Sequence, residues 1–132
     1  MEFPLSLGLQ KAGLPLIISE NNNLCFLLDT GATHNVIFNY VYEHFKKEFK
    51  RLDGNQSIMG IEGIYQETPI IEATFNFEGV DYTSSFSVLE ASDAMQQVQK
   101  ETGIQIHGIL GVQFLLENKW ILDFKKLTIT VK

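Results

Sequence analysis

The sequence predicts a mainly β fold, on three observations. Phenylalanine is abundant, with ten residues, and the strand-favouring residues valine, isoleucine and threonine are common. Several short segments alternate apolar and polar residues, and turns containing glycine or asparagine separate them. With 132 residues, 45% hydrophobic and 20% charged, the chain suits one domain with one core, so residues 1–132 are treated as a single domain.

Composition argues against several classes of function. The net charge is −6, and the largest basic cluster, residues 46–51, lies at the end of a predicted helix, so no nucleic-acid partner is expected. No apolar run approaches membrane-spanning length and no basic signal-peptide stretch opens the chain; we expect no membrane partner and, by default, a cytoplasmic location. The single cysteine, Cys25, lies in an apolar strand and is expected to be a buried, inert thiol.

In chain order, the patterns predict hairpins and several further strands. A first hairpin joins residues 14–18 to 24–28 through an asparagine-rich turn, and a second joins residues 70–77 to 82–88 through a Glu-Gly turn. Residues 57–67 contain two glycines among β-formers, which indicates a bent, mobile hairpin. Further strands are predicted at residues 3–9, 36–38, 104–110, 120–124 and 127–131.

Two longer helices and one short helix interrupt these strands. Residues 40–50 carry an apolar stripe at helical spacing, and the turn residues 53–55 are expected to end that helix. Residues 92–101 form the second, with Ser92 as its N-cap and Gly103 as its stop. The short helix covers residues 112–116. The side chains expected to face inward from the two longer helices are Val41, Phe45, Phe49, Ala94, Met95 and Val98.

The most informative stretch lies at residues 26–33. An apolar strand delivers Asp29 to a tight turn formed by Thr30 and Gly31. An acid in that place is poorly solvated, and the glycine lets another backbone come close. Because such triplets also close ordinary strands, the rest of the chain must decide between the two interpretations. A second apolar strand ends at Gly111, without an acid.

Taken together, these residues resemble the retropepsin-like aspartic peptidases, the single-domain group that includes the retroviral proteases. The resemblance is carried by Leu27-Leu28-Asp29-Thr30-Gly31-Ala32-Thr33, Val36-Ile37, Gly60-Ile61-Glu62-Gly63, Ile109-Leu110-Gly111 and Trp120-Ile121-Leu122-Asp123-Phe124. It implies a closed, barrel-like β fold, here with two helices beyond those of the viral members. It also implies a homodimer with Asp29 as catalytic residue, an active-site loop of Thr30, Gly31 and Ala32, and a substrate-binding flap of Gly60, Ile61, Glu62 and Gly63.

The chemistry implied by this resemblance needs two carboxylates, one ionised to take a proton from water and one protonated to donate. The chain has one Asp-Thr-Gly triplet; Asp123 lacks the glycine turn and is expected to brace a strand end. We therefore expect a C2 homodimer in which the two copies of Asp29 meet and Thr30 hydrogen-bonds across the axis. The terminal segments, residues 3–9 and 127–131, are expected to be edge strands that pair across the dimer.

The expected function is endopeptidase action on protein or peptide substrates. Apolar walls would favour hydrophobic side chains at the cleaved bond, and these walls are expected from Val36, Ile37, Ile61, Ile64 and Ile109. The alternative is a peptide-binding or scaffolding module that keeps the fold without turnover.

The spacing of the three histidines bears on whether the protein is a peptidase or a metal enzyme. His34, His44 and His107 lack metal-ligand spacing, so no metal or other cofactor is expected. His34 is either a surface residue or a residue that tunes the site.

Overall fold

Strands dominate the computed structural model, which describes residues 1–5, 13–20, 22–59 and 63–131. In these residues the strands are β1 (Glu2–Pro4), β2 (Leu16–Ile18), β3 (Cys25–Asp29), β4 (Val36–Phe38), β5 (Lys50–Met59), β6 (Tyr65–Phe77), β7 (Val80–Leu89), β8 (Gly108–Gly111), β9 (Ile121–Asp123) and β10 (Thr128–Thr130). The helices are α1 (Asn39–His44), α2 (Ser92–Thr102) and α3 (Val112–Glu117), with a 3₁₀ turn at Lys46–Glu48. The mainly β prediction is confirmed.

Seven strands form one mixed sheet in the order β2-β3-β8-β4-β7-β6-β5. Two neighbouring pairs are parallel, β3 with β8 and β4 with β7, and the others are antiparallel. Both hairpins predicted from the sequence, β2–β3 and β6–β7, are present. Both β3 and β8 are interior strands, since each of them has a strand on both sides.

The sheet is not a closed barrel over the residues that the structure describes, which corrects the barrel expected from the resemblance. Its outermost strands, β2 and β5, each pair with one neighbour only in the described ranges. The strand β5 pairs with β6 alone in these ranges, whereas β6 pairs with β5 on one side and β7 on the other, so the edge of β5 does not join that of β2.

The chain ends form a separate three-stranded sheet in the order β1-β10-β9. Phe3 pairs with Ile129, and Ile129 pairs with Leu122 on its other side. The prediction that both terminal segments are edge strands is therefore wrong for β10, which is central. Residues 6–12 lie outside the described ranges. They include the later part of the strand predicted over residues 3–9.

The predicted helix over residues 40–50 is wrong in its second half. The helix α1 ends at His44, and β5 begins at Lys50, which pairs with Glu72 of β6. Strand pairing therefore overrides the helical spacing of the apolar stripe. Residues 53–55 do not end a helix; they lie in β5, where the register with β6 shifts and Gly54 adopts a φ of 84°.

The other helices follow the sequence more closely. The helix α2 ends on Gly103, whose φ of 74° is the left-handed conformation predicted for a glycine stop. Ser92 is the first helical residue and not the N-cap; its hydroxyl bonds the Glu90 carboxylate instead. The helix α3 matches the short helix predicted over residues 112–116. The described residues therefore hold three α-helices, of which α1 and α2 correspond to the two longer predicted helices. None of these helices is long and apolar enough to cross a bilayer.

Buried apolar side chains form two clusters. The larger holds a group of contacting rings from three strands, α3 and the residue before β9: Phe26, Phe75, Phe86, Phe114 and Trp120 are among its members. The smaller contains Val36, Phe38, Ile58, Leu89, Met95, Ile106 and Ile109. Met95 fixes α2 to this second cluster, as its predicted inward orientation requires, and the same cluster borders the site described next.

Candidate active site

Asp29 is the last residue of β3, an interior strand of the seven-stranded sheet that lies between β2 and β8. Its parallel neighbour β8 is in register with it, so that Leu28 lies beside Leu110 and Asp29 beside Gly111. The carboxylate is half-buried, whereas Thr30 and Gly31 are exposed. The two apolar-to-glycine junctions noted in the sequence therefore meet side by side, and one of them carries an acid.

The turn after Asp29 is closed by its own backbone. The Ala32 amide donates to the Asp29 carbonyl at 3.1 Å, and the Gly31 amide donates to Asp29 Oδ1 at 2.9 Å. A Cβ on Gly31 would lie 3.2 Å from Oδ1, so the glycine leaves room for the carboxylate to take this position. The turn thus holds one carboxylate oxygen with a backbone donor and directs the side chain into a pocket.

Gly111 lets the loop of residues 30–35 approach β8 closely. A Cβ at this position would lie 2.7 Å from the Ala32 carbonyl oxygen and 2.9 Å from that of His34. Both are backbone atoms and cannot swing aside. Gly108, at the start of β8, has a similar restriction, since its Cβ would lie 2.6 Å from the Val36 carbonyl oxygen. The sequence analysis noted Gly111 as a junction but missed Gly108.

Asn35 holds the same loop and was missed by the sequence analysis. It is buried, and its Oδ1 accepts the Gly111 amide at 2.9 Å, while its Nδ2 donates to Ser84 Oγ at 3.0 Å. Its carbonyl accepts the Ser87 amide at 3.0 Å. One side chain therefore joins the Asp29 loop to both β8 and β7. The available signal was an amide residue directly before an apolar strand, where burial forces its polar atoms to find partners.

The Asp29 carboxylate borders a cavity of about 380 Å³, here called the Asp29 pocket. One wall consists of loop residues and the other of the end of β5, at Ser57, Ile58 and Met59. Its apolar lining includes Val36, Ile58, Met59, Leu89 and Ile109. The expected walls Val36 and Ile109 are thus confirmed.

Two expected wall residues lie elsewhere. Ile37 is fully buried in the larger core cluster, because alternate residues of β4 face opposite sides of the sheet. Ile64 is 64% exposed beyond the end of β5 and does not line the Asp29 pocket. Ile61 lies outside the described ranges.

His34 is half-buried and lines the Asp29 pocket, so it is not a simple surface residue. Both of its ring nitrogens lie 3.1 Å from Gln56 Nε2. On its other side, His34 borders a polar cavity of about 280 Å³.

The predicted flap lies mostly outside the described residues. Gly60, Ile61 and Glu62 belong to the undescribed range, and the flap assignment stays a prediction. Gly63 is described, with a φ of 81° that only glycine adopts readily. It stands between β5 and β6, the position that a flap at the tip of this hairpin requires.

Two further groups, Asp123 and Cys25, have clear structural roles. Asp123 Oδ1 accepts the amides of Lys125 and Lys126, which confirms that this acid braces a turn. Burial raises the pKa of the Cys25 thiol to about 11, in agreement with an inert thiol. The described ranges contain no group of three or more His, Cys, Asp or Glu side chains that could hold a metal ion.

Thr30 borders a second, largely apolar depression on the outside of the protomer, here called the Thr30 surface. Its lining includes Val112, Leu115, Leu116, Trp120, Ile121 and Leu122. Leu116 and Ile121 are 75% and 58% exposed. Exposed apolar side chains therefore lie beside the turn that follows Asp29.

Comparison with known proteins identifies the fold. No protein-family model matches the sequence, and no curated protein matches it. Among solved structures, the chain is similar to the retroviral protease-like domain of Ddi1 from Leishmania major. The TM-score is 0.57 at 17% sequence identity, and the match covers 89% of this chain and 84% of that one. The fold is therefore retropepsin-like; at this identity the similarity establishes the fold and leaves the activity to be argued from the site.

Proposed function

We propose that this protein is an aspartic endopeptidase that acts as a homodimer, with Asp29 of each copy as the catalytic residue. The observation that carries the proposal is the placement of Asp29 in a retropepsin-like fold: at the end of an interior strand, held by the Gly31 amide, and facing a pocket with apolar lining. An acid presented in this way suits proton transfer to and from a bound peptide.

The reaction requires a second carboxylate. In the proposed step, an ionised Asp29 takes a proton from water as the water oxygen bonds to the peptide carbonyl carbon, and a protonated Asp29 donates to the carbonyl oxygen. Collapse of the tetrahedral intermediate breaks the C–N bond and passes a proton to the leaving amine. Two close carboxylates share one proton, because like charges in contact cannot both ionise readily.

One protomer supplies only half of this arrangement. The junction that pairs with Asp29 is Gly111, which has no side chain and no room for one. The second carboxylate would therefore come from a second copy. The Thr30 surface supports this assembly, since it is apolar, exposed and continuous with the Asp29 loop.

The lining of the Asp29 pocket supports a substrate class. Val36, Ile58 and Ile109 would contact side chains of an extended peptide on either side of the cleaved bond. We infer a preference for hydrophobic residues there, with the β5–β6 hairpin binding the peptide backbone as an added strand. A shared proton between two carboxylates also predicts a mildly acidic pH optimum.

The direct test is Asp29→Asn, which keeps the shape and the Gly31 contact but removes the titrating group. We expect wild-type protein to cleave a peptide library at hydrophobic positions and the variant to lose at least about a thousand-fold in rate, since removal of such groups costs several powers of ten. Sedimentation of both proteins should show the same dimer. Peptide binding without cleavage by wild type would favour the scaffolding alternative, and a rate that rises steadily toward alkaline pH would contradict the two-carboxylate mechanism.

A further inference from the structure

We propose that Gln56 and His34 form a bridge that sets the width of the Asp29 pocket, which makes Gln56 a positioning residue for the site. Gln56 Nε2 lies 3.1 Å from the His34 ring nitrogens, and Gln56 Oε1 accepts the Ser87 hydroxyl at 2.8 Å. One amide therefore contacts the Asp29 loop with one end and β7 with the other.

The two residues of the bridge adjoin opposite walls of the pocket. His34 belongs to the loop of residues 30–35, and Gln56 directly precedes Ser57, Ile58 and Met59 of the facing wall. In the described residues β5 is an outermost strand and hydrogen-bonds along one edge, to β6. Its distance from the Asp29 loop therefore depends on side-chain contacts, of which the bridge provides the polar ones and Ile58 an apolar one.

The bridge has a rigid anchor. Ser87 is fully buried, its amide donates to the Asn35 carbonyl, and it pairs with Val36 of β4. The backbone of Gln56 is held as well, because the buried Thr68 hydroxyl donates to the Gln56 carbonyl at 3.2 Å. Because β7 is fixed in the sheet at one end of the bridge, loss of the Gln56 contacts would allow β5 to move relative to β7.

Glutamine is suited to this position because its amide has both a donor and an acceptor. The acceptor end satisfies the buried Ser87 hydroxyl, and the donor end lies within hydrogen-bonding distance of the His34 ring nitrogens. Methionine has nearly the same length but offers neither bond. Gln56→Met therefore tests the bridge while it retains the packing volume.

The matched control is Gln66→Met. Gln66 lies on the neighbouring strand β6, where its Nε2 donates to the Glu90 carbonyl at 3.0 Å, and it does not line the Asp29 pocket. The same substitution there removes side-chain hydrogen bonds to Glu90 and leaves the bridge intact, and because Gln66 pairs with Ile58 of the pocket wall, it controls for a general disturbance of the β5–β6 pairing. His34→Phe removes the bridge from its other end.

The first measurement is kinetic and rests on the proposed function. Gln56→Met and His34→Phe should each raise KM for a cleaved peptide about three- to ten-fold, the change that one hydrogen bond supports, with kcat within about two-fold. The double variant should raise KM no more than either single variant, because both changes break one bridge. Gln66→Met should leave KM at the wild-type value. Additive effects, or a loss of stability with KM unchanged, would overturn the proposal.

The second measurement needs no activity. Hydrogen exchange of the backbone amides of residues 57–59 should be faster in Gln56→Met and in His34→Phe, and unchanged in Gln66→Met. If wild-type protein cleaves nothing but this pattern appears, the proposed function fails while the bridge stands. Equal exchange rates in all four proteins would exclude the bridge, whether or not cleavage occurs.

Discussion

Asp29 is held in place by neutral neighbours. The Gly31 amide binds its carboxylate, Gly111 leaves space for its loop, and Asn35 ties that loop to β7 and β8. None of these three groups titrates, so the loop can keep its shape while the carboxylate gains or loses a proton. The sharing of one proton proposed above would depend on such a frame.

His107 links stability to pH. Its Nδ1 accepts the Cys25 amide at 2.8 Å, and burial lowers its pKa below the ordinary value. The folded protein therefore favours the neutral ring. As the pH falls below about 6.5, the unfolded chain binds a proton at this residue that the folded chain resists, so the free energy of unfolding decreases until the folded-state pKa is passed.

His107→Gln keeps an acceptor for the Cys25 amide without the titration. We expect wild type to lose more unfolding free energy than this variant between pH 7 and pH 5, measured by urea denaturation. His44→Gln, which removes an exposed histidine, is the matched control. Equal losses in wild type and His107→Gln would show that His107 does not couple folding to pH.

The sequence predicted the acid of the site but not its supports. Asp29 could be recognised from neighbouring residues alone, because an apolar strand rarely ends on a charged residue followed by a glycine turn. Asn35 contacts Ser84 of β7, and Gly108 lies against the Val36 carbonyl of β4. Both partners are distant in the sequence and are brought close by the order of strands in the sheet. Local patterns carry no information about such partners, and the Gln56–His34 contact was unpredictable for the same reason.

At the scale of elements, the sequence predicted correctly those turns and helix ends that depend only on residues close together in the chain. The β6–β7 hairpin and the end of α2 at Gly103 were predicted from turn residues and are present. The helix over residues 40–50 failed after His44, because β6 offers the backbone of Lys50 a strand partner. The edge position expected for residues 127–131 was wrong too, since pairing of β1 with β10 joins opposite ends of the chain.

The β6–β7 turn contains a correctable strain. Phe77 pairs with Val80, which leaves Glu78 and Gly79 as a two-residue turn with φ of 51° and 83°. Positive φ at both positions favours Asn-Gly, and glutamate is poorly suited to the first. Glu78→Asn should raise the free energy of unfolding by about 0.5–1 kcal/mol in urea denaturation. Glu78→Gln removes the same charge without the backbone preference and should leave stability unchanged; an equal gain there would assign the effect to charge.

For the whole molecule, the Thr30 surface is an apolar region that stays exposed in the described residues. We had expected dimer pairing through both terminal strands, but β10 already has a partner on each side. A second copy would therefore dock on the apolar side chains of α3 and β9. This arrangement would bring the two Asp29 loops together, since Thr30 lies at the border of that surface.

Leu116→Glu tests this assembly. Leu116 is 75% exposed in the protomer, so the change should leave the protomer folded, whereas in a dimer it buries a charge. We expect the dimer dissociation constant to rise at least about a hundred-fold in sedimentation, with cleavage lost in parallel. Val80→Glu, at an exposed position away from the Thr30 surface, is the control. A dimer that persists and cleaves in Leu116→Glu would place the interface elsewhere.

The burial of Cys25 has a practical consequence for such experiments. It is the single cysteine of the chain, and with a pKa of about 11 roughly one thiol in ten thousand is ionised at neutral pH. Toward alkylating and maleimide reagents, the wild-type protein should therefore behave as if it had no cysteine. A fluorophore or spin label attached to a cysteine introduced at exposed Ile64 would report from the β5–β6 hairpin alone, without prior removal of the native thiol.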